Sequence, residues 1–155
     1  ATSGEAHEAR KAASAIVRDA ERSQNLYGEK SAVIEQLHIL KGECALDDWD
    51  GNGACSISSD ALDKTEDLIS SLPDGFPLPE CAAEPDGSIS LDWIQSRNRL
   101  FSLSVSGSDH LACAWLDGTD KGHYVARCDG ISLPQRVLDG IEKITKHEHA
   151  PQWIA

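Results

Sequence analysis

No part of this sequence stays apolar for long: the longest run is six residues, Leu111 to Leu116. That excludes a membrane-spanning helix by hydropathy. Residues 1–20 carry Glu5, Glu8, Arg10, Lys11, Arg18 and Asp19 with no apolar stretch between them, so no secretory signal is expected. The five cysteines (Cys44, Cys55, Cys81, Cys113, Cys128) are an odd set with no Cys-x-x-Cys. Neither a disulfide scaffold nor a zinc ribbon or thioredoxin-like pair is supported, and reduced, mostly buried thiols in a cytoplasmic protein are expected. There is no Gly-x-Ser-x-Gly, Walker loop, Gly-x-Gly-x-x-Gly or His-Glu-x-x-His. An enzyme reading thus has no anchor residue, and no motif calls for a cofactor.

Basic residues are scarce in one place only. Residues 1–42 and 93–155 each balance their acids and bases, whereas residues 43–92 set thirteen acids against Lys64 alone. The whole formal charge of −12 resides there. Such a field repels phosphate backbones and anionic lipids and attracts basic partners. No nucleic-acid or membrane binding is expected, and a basic protein partner is. An acidic surface that only confers solubility is the bland alternative.

The length of 155 residues suits one compact domain. Thr2 and Glu5 resemble a capping box for a helix over about 6–24, and Ser31 to Lys41 forms a second helical pattern ended by Gly42. With a linker at Asn25 to Gly28, residues 1–44 read as a helical hairpin. Ser58 is a candidate N-cap for a helix over 59–72. Pro73, Pro77, Pro79 and Pro85 then exclude helix, and the period changes to two. Strands are expected at 81–84, 88–94, 100–106, 111–116 and 123–128, joined by short connectors and so antiparallel. Pro134 opens a closing amphipathic helix with Val137, Leu138, Ile141 and Ile144. The expected fold is α+β: N-terminal helices, a four- to five-stranded meander, and a C-terminal helix on the sheet. The divisions are 1–44, an α+β core at 45–146, and a tail at 147–155.

Asp48-Trp49-Asp50-Gly51-Asn52-Gly53 matches the first half of a calcium loop, with Asp48, Asp50 and Asn52 as oxygen ligands. Position 12, however, is Ser59 rather than Glu. The competing reading makes the loop a structural anchor: Trp49 buried, Gly51 or Gly53 at positive φ, the neighbouring carboxylates in water. Asp60, Asp63 and Asp67, flanked by Glu66, form an acidic stripe on the 59–72 helix. His147 and His149 stand two apart, a poor helical chelate that reads as tail. His110, His123, Tyr124 and Arg127 gather around the last hairpin. With Leu116 opposite His123, His110 falls opposite about Asp129, a possible base and its orienting partner.

The run Asp48-Trp49-Asp50-Gly51-Asn52-Gly53-Ala54 followed by Ile57-Ser58 resembles a small uncharacterised bacterial protein family. So do Leu78-Pro79-Glu80, the strand Pro85-Asp86-Gly87-Ser88-Ile89-Ser90-Leu91-Asp92-Trp93, and Leu133-Pro134. The likeness covers about residues 45–145. It implies a bacterial or phage-borne origin and a compact accessory protein, and it carries no activity.

The leading expectation is a non-enzymatic, acidic protein-binding module of inhibitor, antitoxin or immunity type. Its contact surface is placed on residues 43–92, with Asp47, Asp48, Asp50, Asp60, Asp63, Glu66 and Asp67 as its acids. The alternatives are a small-substrate enzyme on the 110–129 hairpin and a structural calcium-binding protein.

Overall fold

A computed structural model of the chain describes the backbone of residues 2–146 and the side chains of 6–14 and 28–146. The tail at 147–155 with its His147 and His149, and the side chains of Thr2, Glu5, Ile16, Val17 and Ala20, lie outside the described residues. Three helices and one five-stranded sheet follow in the order α1 (Thr2–Glu43), α2 (Ser59–Ser70), β1 (Glu80–Ala83), β2 (Ile89–Ser96), β3 (Arg99–Val105), β4 (His110–Asp117), β5 (Asp120–Arg127) and α3 (Gln135–Thr145). The strands lie in sequence order, every neighbouring pair antiparallel, so the sheet is the expected meander and the fold is α+β.

The hairpin expected within 1–44 is not formed. α1 runs unbroken for 42 residues, about 63 Å at the helical rise. The single Gly28 has open space around it, and one helical glycine costs about 1 kcal/mol, too little to break a helix without a proline. The helix pair forms one element later, between the C-terminal half of α1 and α2. Lys41 Nζ reaches Ser59 Oγ at 2.8 Å, while Lys30 Nζ reaches the Ser70 and Leu72 carbonyls at 3.3 and 2.5 Å, so the two helices run antiparallel. Lys30 thereby supplies a cation to the C-terminal carbonyls of α2, where the helix dipole favours one.

Ser58 caps α2 as its sequence predicts, its hydroxyl accepting from Ala61 N. The connector after α2 is pinned at Trp93, whose indole N–H donates to the Pro77 carbonyl at 2.9 Å. The strands alternate: Phe101, Leu103 and Val105 are buried beneath the helices, while Ser102 and Ser104 face the other way. Leu37, Leu68, Ile69, Ile89, Leu91, Val137 and Ile141 complete one continuous core between the sheet and the three helices. No helix among the described residues packs on the opposite face of the sheet. Among the described residues no helix is long and apolar enough to cross a membrane.

Candidate functional site

The segment that holds the charge begins with the loop between α1 and α2. It closes on itself: Asp48 N donates to Ala54 O at 2.6 Å, and Ile57 N to Cys44 O at 3.2 Å. Three carboxylates act inside this loop as acceptors for backbone amides. Asp47 Oδ1 takes Ser56 N at 2.9 Å, Asp48 Oδ1 takes Gly53 N at 2.6 Å, and Asp50 Oδ1 takes Asn52 N and Ala54 N at 2.8 and 3.1 Å. Such charge-assisted bonds are the stronger kind and order a glycine-rich turn. Gly51 and Gly53 have φ of 73° and 84°, and Asp48 itself sits at 63°, a left-handed position that Asp tolerates.

Trp49 is half-buried rather than buried as expected. Its ring packs partly against the core, and its indole N–H is satisfied within the loop by Cys55 O at 2.8 Å. The Asp48 and Asp50 oxygens point to separate amides rather than to one centre. Among the described residues, no three His, Cys, Asp or Glu side chains are grouped to hold a metal ion.

α2 has three distinct sides. Ala61, Thr65, Leu68 and Ile69 are buried. The side toward α1 carries Ser59, Glu66 and Ser70, and there Glu66 Oε1 meets His38 Nε2 at 2.6 Å, so Glu66 belongs to a pair and not to the open stripe. The outward side carries Asp60, Asp63 and Asp67, all exposed. Their carboxylates make no ion pair or hydrogen bond among the described residues. Lys64, the only base in the segment, is turned to the far flank, where its ammonium donates to the Cys128 carbonyl. The N-terminal end of α2 is seated on two turns of the sheet: Ser58 N donates to Gly87 O at 3.0 Å, and Gly107 lies against Asp60 and Ala61.

The last hairpin differs in register from the expected one. Leu116 pairs with Lys121, Cys113 with Tyr124, and His110 with Arg127, because a two-residue turn at 118–119 joins Asp117 to Asp120. Gly122, read as part of a loop, is a strand residue: a Cβ there would come within 2.7 Å of the Trp115 ring, so the indole lies flat across β5 only over a glycine. The shift is two residues, which preserves the facing of every side chain. It removes the proposed His110–Asp129 pair; Asp129 instead has Arg127 at 3.8 Å. His110, His123 and Arg127 lie on the open face, while Tyr124 faces the helices, so these groups form no common site.

What the helix-side face of this hairpin does build is a cleft of about 220 Å³ against α3. Trp115, Tyr124 and Phe101 supply aromatic walls, and Arg136 and Lys143, two turns apart on α3, supply cations. The Arg136 guanidinium stacks 3.8 Å over the Tyr124 ring, and the Lys143 ammonium lies 6.0 Å from that of Trp115. Gly140 sits between them, where a Cβ would come 2.9 Å from Phe101. Burial, then the neighbouring Cys113, pushes the Tyr124 phenol up to about 12, so it remains an O–H donor at neutral pH. This cleft is assembled from separate elements, and little in the sequence points to it. Its one signal was Gly140 inside an amphipathic helix, where glycine is disfavoured unless something packs closely.

Comparison with known protein families, curated proteins and solved structures returned no match.

Proposed function

We propose that this chain is a non-enzymatic binding protein, of inhibitor, antitoxin or immunity type, that engages a basic protein partner through the outward face of α2 and the adjoining 47–56 loop. The observation that carries the reading is the disposition of charge around α2. Its lysine neighbours Lys30, Lys41 and Lys64 are held at the flanks on carbonyl or hydroxyl oxygens, leaving Asp60, Asp63 and Asp67 together on the outward side. Carboxylates fixed on a rigid helix need little reorganisation to meet a basic surface, and a one-sign field speeds encounter and selects partners. Capture of partners from native-host lysate, at low and at physiological salt, tests it. Retention of a basic protein at physiological salt is expected; no protein retained even at low salt contradicts the reading.

The cleft favours a second reading, a small-ligand protein. An aromatic slot lined by Arg136, Lys143 and one acid, Asp117, which Arg99 meets at 3.8 Å, suits a single-ring carboxylate, since it is smaller than a drug-sized site. Titration with benzoate, followed by tryptophan fluorescence, should give a saturable change that Trp115→Phe abolishes. A signal unaffected by that substitution counts against it.

A further inference from the structure

The open face of the sheet divides its charge by strand. Glu80 and Glu84 stand at its β1 edge and Asp92 on β2, while Lys121, His123 and Arg127 stand on β5. Between them the surface is low. Ser90 and Ser102 both hydrogen-bond to Asp92 Oδ1, at 2.8 and 2.5 Å, and Ala112 and Ala114 follow on β4. Ile94 and Val125 are exposed on this face, at 54% and 65%. In a chain of net charge −12, these acids and bases nearly cancel.

We infer that this face binds a second copy of the chain, sheet to sheet, about a two-fold axis running along β3 between the two layers. The register supports that symmetry. Glu80, Asp92, Ser102, Ala114 and His123 form one row across the five strands, and Ala82, Ser90, Ser104, Ala112 and Val125 form the next. The two-fold lays β1 of one copy over β5 of the other at the same height. Glu80 then meets His123 of the second copy, and Ala82 meets its Val125. Glu84, one residue beyond β1, meets Arg127 at the same end. Each contact occurs twice, as an isologous interface requires. Because both sheets twist with the same hand, the superposed strands stay aligned. The serines and alanines of the middle strands let the layers approach closely.

Strand spacing and rise give about 550 Å² per copy, about 1,100 Å² for the pair, which is the lower end of specific interfaces. A weak, reversible dimer follows. The acidic face of α2 belongs to the helical layer on the other side of the sheet, and at physiological salt a Debye length of about 8 Å screens its repulsion.

Sedimentation equilibrium of the full chain at physiological salt, over a concentration series, tests the inference. The wild type should show a monomer–dimer equilibrium. Glu84→Arg and Arg127→Glu should each weaken it by about tenfold or more, because two attractive contacts become repulsive. An equal mixture of the two variants should dimerise again, since each copy then opposes the other's charge. Glu84 accepts a hydrogen bond from the Ser104 hydroxyl, so its replacement could disturb the sheet. Ala112→Arg, at an exposed site near the axis, serves as the independent variant and should be monomeric. A wild type that stays monomeric, a dimer indifferent to these changes, or a mixture that fails to recover overturns the inference.

Discussion

Gly107 and Gly118 close successive sheet turns, both at positive φ, 87° and 66°, and replacing each by alanine separates backbone strain from packing. At Gly118 nothing lies within 4 Å of the added methyl, so only the left-handed conformation is penalised. That costs about 1–2 kcal/mol, reduced by the stiffer unfolded chain to about 1 kcal/mol net. At Gly107 the methyl would lie 2.8 Å from Asp60 Cβ and 2.9 Å from Ala61 N and Asp60 C. These are atoms of the first turn of α2, which cannot rotate away, so the turn or the helix must shift. The overpacking adds about 2 kcal/mol, for about 3 kcal/mol in all. For a chain of 155 residues the difference between the two variants corresponds to about 4–8 °C in Tm. Parallel thermal and urea unfolding of the two variants measures it. Equal destabilisation would refute the reasoning, because α2 and its acidic face would then not be seated on the β3–β4 turn.

Trp49→Phe should cost about 1 kcal/mol, the bond to Cys55 O, and Trp49→Ala about 2 kcal/mol, below the full-burial value because the ring is half-buried; chemical denaturation distinguishes them. Stability should fall above pH 9. Burial raises Cys81 from 9.0 to about 11 and Tyr124 from 10.0 to about 12, so the unfolded chain loses these protons first and stabilisation declines across that window. A pH series of urea midpoints that is flat from 9 to 12 contradicts both shifts. In the native protein, a thiol reagent should label exposed Cys55 first, with Cys44, Cys113 and Cys128 protected until unfolding; peptide mapping of early products checks the order.

The strands and α3 were legible because a period of two between proline and glycine punctuation admits few alternatives, as Leu100 to Ser106 illustrates. α1 continues through Asn25 to Gly28 against the local glycine signal, because the helix-forming sequence on both sides outweighs one glycine. The hairpin register slipped by two because Gly122 marks the close approach of Trp115, a tertiary fact that one sequence cannot display. The acidic stripe at Asp60, Asp63 and Asp67 was readable from helical spacing. That Glu66 is taken by His38, and that Asp47, Asp48 and Asp50 hold their own loop, depends on which amides and side chains the fold brings near. The cleft at Trp115, Tyr124 and Arg136 joins residues from two strands and a helix, and no local pattern links them.

The acidic face of α2 is tested most directly by one matched capture experiment. Wild type and the triple variant Asp60→Asn, Asp63→Asn, Asp67→Asn, immobilised at equal density, are exposed to native-host lysate at physiological salt. The substitutions lie on an exposed helix face and leave the buried side of α2 untouched. The expected result is a basic protein retained by the wild type and lost from a variant whose thermal unfolding is unchanged. Equal retention by both, or retention by neither, contradicts the assignment of this face as the binding surface.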